Sequence, residues 1–163
     1  MQKVAVFGNT GGGKSTLSKL LSDKTGLPLI CLDKIKFEPG GKEVPHDAYL
    51  IQHGKVLNEK QWIIDGFGCV PSAWERFSKA DTLIYIDLPL MTHFMWVTKR
   101  LLKGLIVNPE GWPERSPLLK STINSYKVLW LCHQKLTPKY RRLIHDMKEE
   151  KHVVHLTSPQ AIQ

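Results

Sequence analysis

The chain has 163 residues, of which 42% are hydrophobic and 23% charged, a composition typical of one folded domain over residues 1–163 and not of a disordered segment. It has no apolar run near the ~20 residues that span a bilayer and no N-terminal apolar stretch long enough for a secretion signal. Its three cysteines are scattered along the chain. These features favour a protein of the reducing cytoplasm over a membrane protein or a secreted, disulfide-rich one. The net charge of +8 suits a polyanionic partner but does not choose between a nucleotide, a nucleic acid and an acidic surface.

Short apolar runs alternate along the chain with stretches of helical spacing. Strands are predicted at residues 3–7, 28–32, 62–64, 82–86 and 153–156. Helices are predicted to begin near residues 15, 49, 72, 89, 119 and 138, the third at a Ser72–Glu75 capping box. This alternation predicts an α/β fold, a parallel sheet with helices on both faces.

Two inserts interrupt the alternation, at about 34–60 and about 104–116. The first contains Pro39-Gly40-Gly41, and the second, rich in proline and glycine, has no regular period and is expected to be a loop or lid. Both follow strands, so both are expected at the sheet edge where open α/β folds bind their ligands.

The segment Gly8–Ser15 fits the phosphate-binding pattern G-x-x-x-x-G-K-[ST] without a gap, between a predicted strand and a predicted helix. Its glycines let backbone N–H groups approach phosphate oxygens, Lys14 supplies a point charge, and the Ser15 hydroxyl can ligate Mg²⁺. ATP and Mg²⁺ are therefore the expected ligands. The predicted binding residues are Gly8, Asn9, Thr10, Gly11, Gly12, Gly13, Lys14, Ser15 and Thr16.

Three aspartates, Asp33, Asp65 and Asp87, each follow an apolar strand. A phosphate loop of this kind needs an acidic residue near Ser15 to hold the metal through its waters, and Asp65 is predicted to do so. Asp33, beside the first insert, is predicted to meet the acceptor or take its proton. Asp87 is interpreted as a simple helix-entry residue.

Phosphoryl transfer also needs cations around the transferred group. Arg100, at the end of a helix, and Arg115, in the second insert, are predicted to supply them with Lys14. Arg76, after the third strand, is a further candidate, and Trp112 is a candidate ligand contact. No histidine cluster has the spacing of a metal site.

With these residues in place, the sequence resembles the adenylate-kinase-related P-loop proteins, and within them most closely the bacterial group labelled DNA topology modulation proteins. The segments that carry the resemblance are Gly8–Ser15, Leu32-Asp33, Pro39-Gly40, Trp62–Gly66, Ala80–Thr82, Asp87–Pro89, Arg100 and Gly111–Arg115.

The resemblance implies a nucleoside-monophosphate-kinase-like P-loop NTPase fold, with a five-stranded parallel sheet, an acceptor-binding insert and a mobile lid. It also implies that Thr157-Ser158-Pro159 lies near the adenine and that lid closure excludes water during transfer. Adenylate kinases usually follow Asp-Gly-Phe with Pro-Arg, but here Gly68-Cys69 follows Phe67. Arg76 is therefore the candidate to grip the acceptor in place of that arginine.

The leading hypothesis is a small kinase that transfers the γ-phosphoryl group of ATP to a nucleotide or other small acceptor. One alternative is a non-catalytic ATP-binding regulator associated with DNA topology, for which the sequence contains no DNA-binding motif. Another is a stand-alone ATPase. The sequence leaves the identity of the acceptor open, and also whether the protein is a monomer or a homodimer.

Overall fold

Five parallel strands form one sheet in the order β2-β3-β1-β4-β5. A computed structural model of the chain describes residues 1–39, 41–104 and 118–162, the side chains of 104 and 118–122 excepted. The strands are β1 (Lys3–Gly8), β2 (Leu29–Cys31), β3 (Trp62–Asp65), β4 (Thr82–Ile86) and β5 (His152–Leu156). The predicted five-stranded parallel sheet is confirmed.

Seven α-helices and one short 3₁₀ helix are present in the described residues. They are α1 (Lys14–Thr25), α2 (Leu32–Lys36), α3 (His46–Asn58), α4 (Val70–Lys79), α5 (Leu90–Gly104), α6 (Leu118–Lys135), α7 (Thr137–Asp146) and the 3₁₀ helix Pro159–Ile162. None of them is long and apolar enough to cross a bilayer. The first predicted insert contains the end of α2 and all of α3. The second lies outside the described residues apart from Gly104, which ends α5.

The central strand β1 is buried on both faces, which explains its unbroken apolar run. Ala5 and Phe7 pack into a cluster on one face of the sheet, and Val4 and Val6 into a second cluster on the other. Each face is covered by helices, as the predicted three-layer α/β/α architecture requires. The first cluster holds a group of aromatic rings with centroids 4.4–6.1 Å apart, formed by Phe7, Trp74, Phe77, Tyr85 and Tyr140.

The strand register brings the candidate residues to one edge. Asp65 at the end of β3 lies opposite Val6 on one side and Cys31 on the other, and Gly8 lies opposite Ile86. Because parallel strands all end at the same edge of the sheet, the loops after β1, β2 and β3 meet there.

The predicted capping box of α4 is wrong in its position. The helix begins at Val70 rather than after Ser72, and Ser72 is its third residue. The Ser72 hydroxyl accepts a hydrogen bond from the Cys69 backbone N–H at 3.1 Å. Ser72 therefore caps the helix from inside, and the chain enters the helix earlier than the Ser–Glu spacing indicates.

Candidate functional site

The predicted phosphate-binding segment, Gly8–Ser15, links β1 to α1 and is called the phosphate loop below. Its conformation depends on glycine. Gly11 and Gly13 have φ values of 68° and 76°, in the left-handed region that side chains rarely adopt. Gly13 is the residue that caps the N-terminus of α1. The free N–H groups and positive dipole end of this helix therefore open directly onto the loop, as an anion site requires.

Helix α5 packs directly behind this loop. A Cβ on Gly11 would lie 2.5 Å from Val97 Cγ2, and a Cβ on Gly13 would lie 2.9 Å from Trp96 Cζ3. From the sequence, the loop glycines are explained only by the close approach of backbone N–H groups to phosphate oxygens. The structure adds a second reason for them, since any side chain at these positions would collide with α5.

Two polar side chains contact the loop or anchor it to α5 and α6, and neither contact leaves a signal in the sequence. His93 of α5 is 2% exposed and places Nδ1 2.9 Å from the Thr10 carbonyl oxygen. Asn9 donates from Nδ2 to the Leu129 carbonyl of α6 at 3.0 Å, and its Oδ1 accepts from the Thr10 N–H at 2.8 Å. Helical spacing shows that His93 and Val97 share a face of α5, but not that this face meets the loop.

The residues predicted to hold phosphate and metal lie together. Lys14 Nζ donates to the Asn9 carbonyl at 2.8 Å, and the Ser15 hydroxyl donates to Asp65 Oδ2 at 2.6 Å. Asp65 is 2% exposed, and its other oxygen, Oδ1, has no hydrogen-bond partner in the described part of the chain. A hydroxyl beside a carboxylate with a spare acceptor oxygen is a donor set that fits hydrated Mg²⁺, which binds hard oxygen ligands and keeps several waters.

Asp33 stands next to this pair, at the start of α2. Its Oδ1 lies 3.4 Å from the position that a Cβ on Gly66 would take. Burial, with a further contribution from Asp65, raises the pKa of Asp33, against the opposing charges of Lys14, Lys36 and Arg100. A carboxylate with a raised pKa is a better proton acceptor than an ordinary aspartate.

Arg100 reaches the site from α5. Its Nη2 donates to Ser125 Oγ at 3.2 Å. Burial lowers the pKa of Arg100, and the negative charge of Asp33 partly opposes that shift. Arg100 and Asp33 are thus close enough to act on each other electrostatically, whereas Arg115 and Trp112 fall outside the described residues.

Arg76 lies inside the protein at 0% exposure. It donates from Nη2 to the Gly66 carbonyl at 3.1 Å, and burial lowers its pKa. Its Nε and Nη1 atoms have no hydrogen-bond partner among the described residues. The structure thus places Arg76 beneath the turn that follows Asp65, and direct contact with an acceptor stays a prediction.

The same turn is held by the first insert. Lys36 Nζ donates to the Gly68 carbonyl at 3.2 Å, and the Tyr49 hydroxyl lies 2.9 Å from Ser72 Oγ. The turn Gly66–Cys69 therefore joins the metal-side residue Asp65 to the predicted acceptor insert.

Asp87 is occupied elsewhere. Its carboxylate is 7% exposed and receives two hydrogen bonds from Arg141, at 2.8 and 3.0 Å, and one from His155 at 3.1 Å. These bonds outweigh the effect of burial, which acts in the opposite direction, so the pKa of Asp87 is lowered. Its contacts lead to α7 and β5 rather than to Ser15. In the described parts of the chain, no three His, Cys, Asp or Glu side chains converge as a metal site.

A pocket of about 250 Å³ opens beside the phosphate loop, lined by Gly13, Thr16, Leu20, Trp96, Pro159 and Ile162. Its walls are largely apolar, with one aromatic ring from α5. Pro159 belongs to the segment that the resemblance placed near the adenine. An apolar pocket with an aromatic wall suits a heterocyclic base.

Comparison with known proteins identifies the fold. No family model matches the sequence, and no curated protein matches it. Among solved structures, the chain is similar to a shikimate kinase from Acinetobacter baumannii in complex with shikimate, with a TM-score of 0.64 and 16% identity over 99% of this chain and 87% of that one. The chain therefore shares the α/β fold of that kinase, a five-stranded parallel sheet with helices on its faces. The narrower resemblance to the DNA topology modulation group is not confirmed by these comparisons.

Proposed function

We propose that the protein binds ATP with Mg²⁺ and transfers the γ-phosphoryl group to a small acceptor in the cytoplasm. The observation that carries the proposal is the Ser15–Asp65 hydrogen bond of 2.6 Å beside an intact phosphate loop. Lys14, Asp33 and Arg100 lie near the same edge of the sheet, since the charges of Lys14 and Arg100 both act on the pKa of Asp33. This is a set of charges suited to phosphoryl transfer, which depends mainly on positioning and neutralisation.

The nucleotide is bound by its two ends. The backbone of residues 8–13 and the N-terminus of α1 hold the phosphates, and Lys14 leaves the Asn9 carbonyl to bind the outer ones. The base enters the pocket between Trp96 and Pro159.

Ser15 and Asp65 would hold Mg²⁺, the serine directly and the aspartate through metal-bound water. A Mg²⁺ ion held there would supply positive charge against the negative charge that develops on the outer phosphates during transfer. Before it binds, the Ser15–Asp65 hydrogen bond keeps both side chains in place. The metal site is therefore preorganised by the protein alone.

The acceptor approaches from the side of α2, where Asp33 lies. Asp33 takes the proton of an acceptor hydroxyl, the hydroxyl oxygen forms a bond to the γ-phosphorus, and the bond from that phosphorus to the β–γ bridging oxygen breaks to release ADP. Arg100 and Arg115 neutralise the transferred group. Arg76 supports acceptor binding from beneath the turn after Asp65.

ADP release by the wild-type protein and Lys14→Ala tests the proposal, with nucleoside monophosphates and small hydroxylated acids as acceptors, shikimate included. Lys19→Ala, which removes an exposed lysine of the same helix, is the matched control. Turnover that needs an acceptor and is lost only in Lys14→Ala supports the kinase.

The other outcomes separate the alternatives. ATP binding without turnover for any acceptor would overturn the kinase in favour of an ATP-binding regulator, with DNA as the next ligand to test. Hydrolysis that no acceptor stimulates would instead indicate a stand-alone ATPase.

A further inference from the structure

One face of α5 contacts the phosphate loop and continues toward Asp33. His93, Val97 and Arg100 stand at positions i, i+4 and i+7 of the helix, which share one face. His93 contacts the Thr10 carbonyl, and Val97 packs where a Gly11 side chain would lie. The polar contact of His93 with the loop backbone is not used by any of the steps proposed above.

The chemistry of this contact is settled by the partner. A carbonyl oxygen only accepts hydrogen bonds, so His93 donates through Nδ1–H at 2.9 Å. Burial, followed by the charge of Lys14, lowers the pKa of His93 to about 4. At neutral pH the ring is therefore uncharged, with its proton on the nitrogen that faces Thr10.

The bond fixes the orientation of one peptide plane. The loop contains no cis peptide bond, and in a trans peptide the carbonyl and the following N–H point in opposite directions. With the Thr10 carbonyl turned toward α5, the Gly11 N–H points away from α5. If this peptide flipped, the Thr10 oxygen would take the place of the N–H and repel phosphate oxygens.

We propose that His93 is a positioning residue of the phosphate site, which holds the Thr10–Gly11 peptide so that the Gly11 N–H faces the ligand. The role rests on the proposed binding of ATP. It assigns His93 to the phosphates and not to the base, which enters a pocket that His93 does not line. If His93 served only to fill space behind the loop, replacing it would not affect phosphate binding more than base binding.

Three variants distinguish these roles. His93→Asn keeps an N–H donor at the position of Nδ1, whereas His93→Gln places its amide nearer the position of Nε2, and His93→Leu has no donor. ATP and adenosine binding are measured for each by calorimetry at pH 7.5, and thermal unfolding shows whether each variant folds. Adenosine reports on the base pocket without the phosphates.

For wild type and His93→Asn we expect ATP affinities within about threefold of each other, since the hydrogen bond is kept. His93→Gln and His93→Leu should bind ATP roughly five- to a hundredfold more weakly, because the part-buried Thr10 carbonyl loses its partner and the peptide loses its fixed orientation. Adenosine affinity should change by less than about twofold in all three.

Three results would overturn the role of His93. The first is ATP binding by folded His93→Gln and His93→Leu at wild-type strength. The second is an equal loss of ATP and adenosine, which would mark general damage to the site. The third is a failure of His93→Asn, when folded, to bind ATP better than His93→Gln. If the wild-type protein binds no ATP at all, the proposed function fails first and this role fails with it.

Discussion

Ser15 and Asp65 are 50 residues apart in the sequence and are joined by a 2.6 Å hydrogen bond at the edge of the sheet. Ser15 lies in the first turn of α1, and Asp65 ends β3, the strand that pairs with β1. The bond therefore joins the phosphate loop to the strand that leads into the acceptor side. It brings a hydroxyl and a buried carboxylate to the place where a nucleotide-bound metal ion would lie.

Replacing Asp65 with asparagine should weaken the Mg²⁺ dependence of ATP binding. The amide keeps the size of the side chain but loses the negative charge that orders metal-bound water. Loss of a residue that holds a metal through its water typically costs 10- to 100-fold in metal affinity. We therefore expect Asp65→Asn to lower the Mg²⁺ affinity of the ATP complex by about that factor. Calorimetric titration of ATP at several Mg²⁺ concentrations measures it.

Asp87→Asn is the matched control for Asp65→Asn, because Asp87 also follows a strand but is paired with Arg141 and His155. It should lower the unfolding free energy and leave the Mg²⁺ dependence unchanged. Equal Mg²⁺ dependence in Asp65→Asn and the wild-type protein would contradict the assignment of Asp65.

The phosphate loop and the parallel sheet could be predicted because each leaves a local signal. The spacing of Gly8, Gly13 and Lys14 matches the phosphate-binding pattern. The strands are apolar runs that end at turn residues. The contact of Asp65 with Ser15 followed from sheet geometry, since all parallel strands end at one edge.

The packing behind the loop could not be predicted in the same way. The periodicity of α5 shows that Val97 is on a buried face, but which element covers that face depends on tertiary structure. Arg76 shows the same limit. Its place after β3 suggested a ligand-binding cation, yet the helix turns its guanidinium beneath the backbone of Gly66.

Gly11→Ala should destabilise the protein more than Gly26→Ala, although both residues have φ near +70°. A Cβ at Gly26 meets no atom within 4 Å, so only the left-handed backbone penalty of about 1–2 kcal/mol applies. At Gly11 the Cβ would also lie 2.5 Å from Val97 Cγ2, and such overpacking adds about 1–3 kcal/mol. Urea unfolding of the two variants measures the difference.

Val97→Ala introduced into Gly11→Ala tests the cause of that difference. Removing the valine methyl groups should recover part of the lost stability, since the collision is with Val97 Cγ2. The loss of stability in the double variant should therefore be smaller than the sum of the losses in Gly11→Ala and Val97→Ala. If the two losses simply add, the contact with α5 is not the cause.

Stability should fall as the pH is lowered from about 6.5 to about 4, because two buried histidines resist protonation. Burial lowers the pKa of both His53 and His93 to about 4, assisted by Arg76 and Lys14 respectively. The unfolded chain takes up these protons near pH 6.5 and the folded protein only near pH 4, so each histidine removes up to about 1.4 kcal/mol per pH unit across that window.

Urea unfolding between pH 7.5 and pH 4.5 measures this dependence. His53→Gln should flatten the slope by removing one of the two buried groups. An unfolding free energy that stays constant down to pH 5 would contradict the assignment.

Trp96 should report nucleotide binding through its fluorescence, because its ring lines the pocket proposed for the base. A stacked base changes the surroundings of the ring, so ATP and adenosine should both alter the emission while inorganic phosphate should not. Trp96→Phe keeps an aromatic wall and should bind ATP with a much smaller fluorescence change. Trp130→Phe, on α6, is the control and should keep the wild-type change.

Arg76→Met should impair acceptor binding without a large loss of stability. Arg76 is fully buried, and no carboxylate lies within ion-pairing distance of it in the described parts of the chain. Its removal therefore breaks no ion pair of the described residues, and apolar replacements of buried charged groups are often neutral or stabilising. The lost bond to the Gly66 carbonyl costs about 1 kcal/mol, so the net change in unfolding free energy should be small.

The effect on function should be confined to the acceptor. The Gly66 carbonyl that Arg76 holds belongs to the turn that Lys36 and Tyr49 of the first insert also contact, directly or through Ser72. Releasing this turn should raise the KM of the acceptor about tenfold or more, the equivalent of about 1.4 kcal/mol, and leave ATP affinity unchanged. Initial rates at varied acceptor and at varied ATP separate the two. An unchanged acceptor KM together with a loss of more than about 3 kcal/mol of stability, typical of a broken buried network, would make Arg76 a purely structural residue.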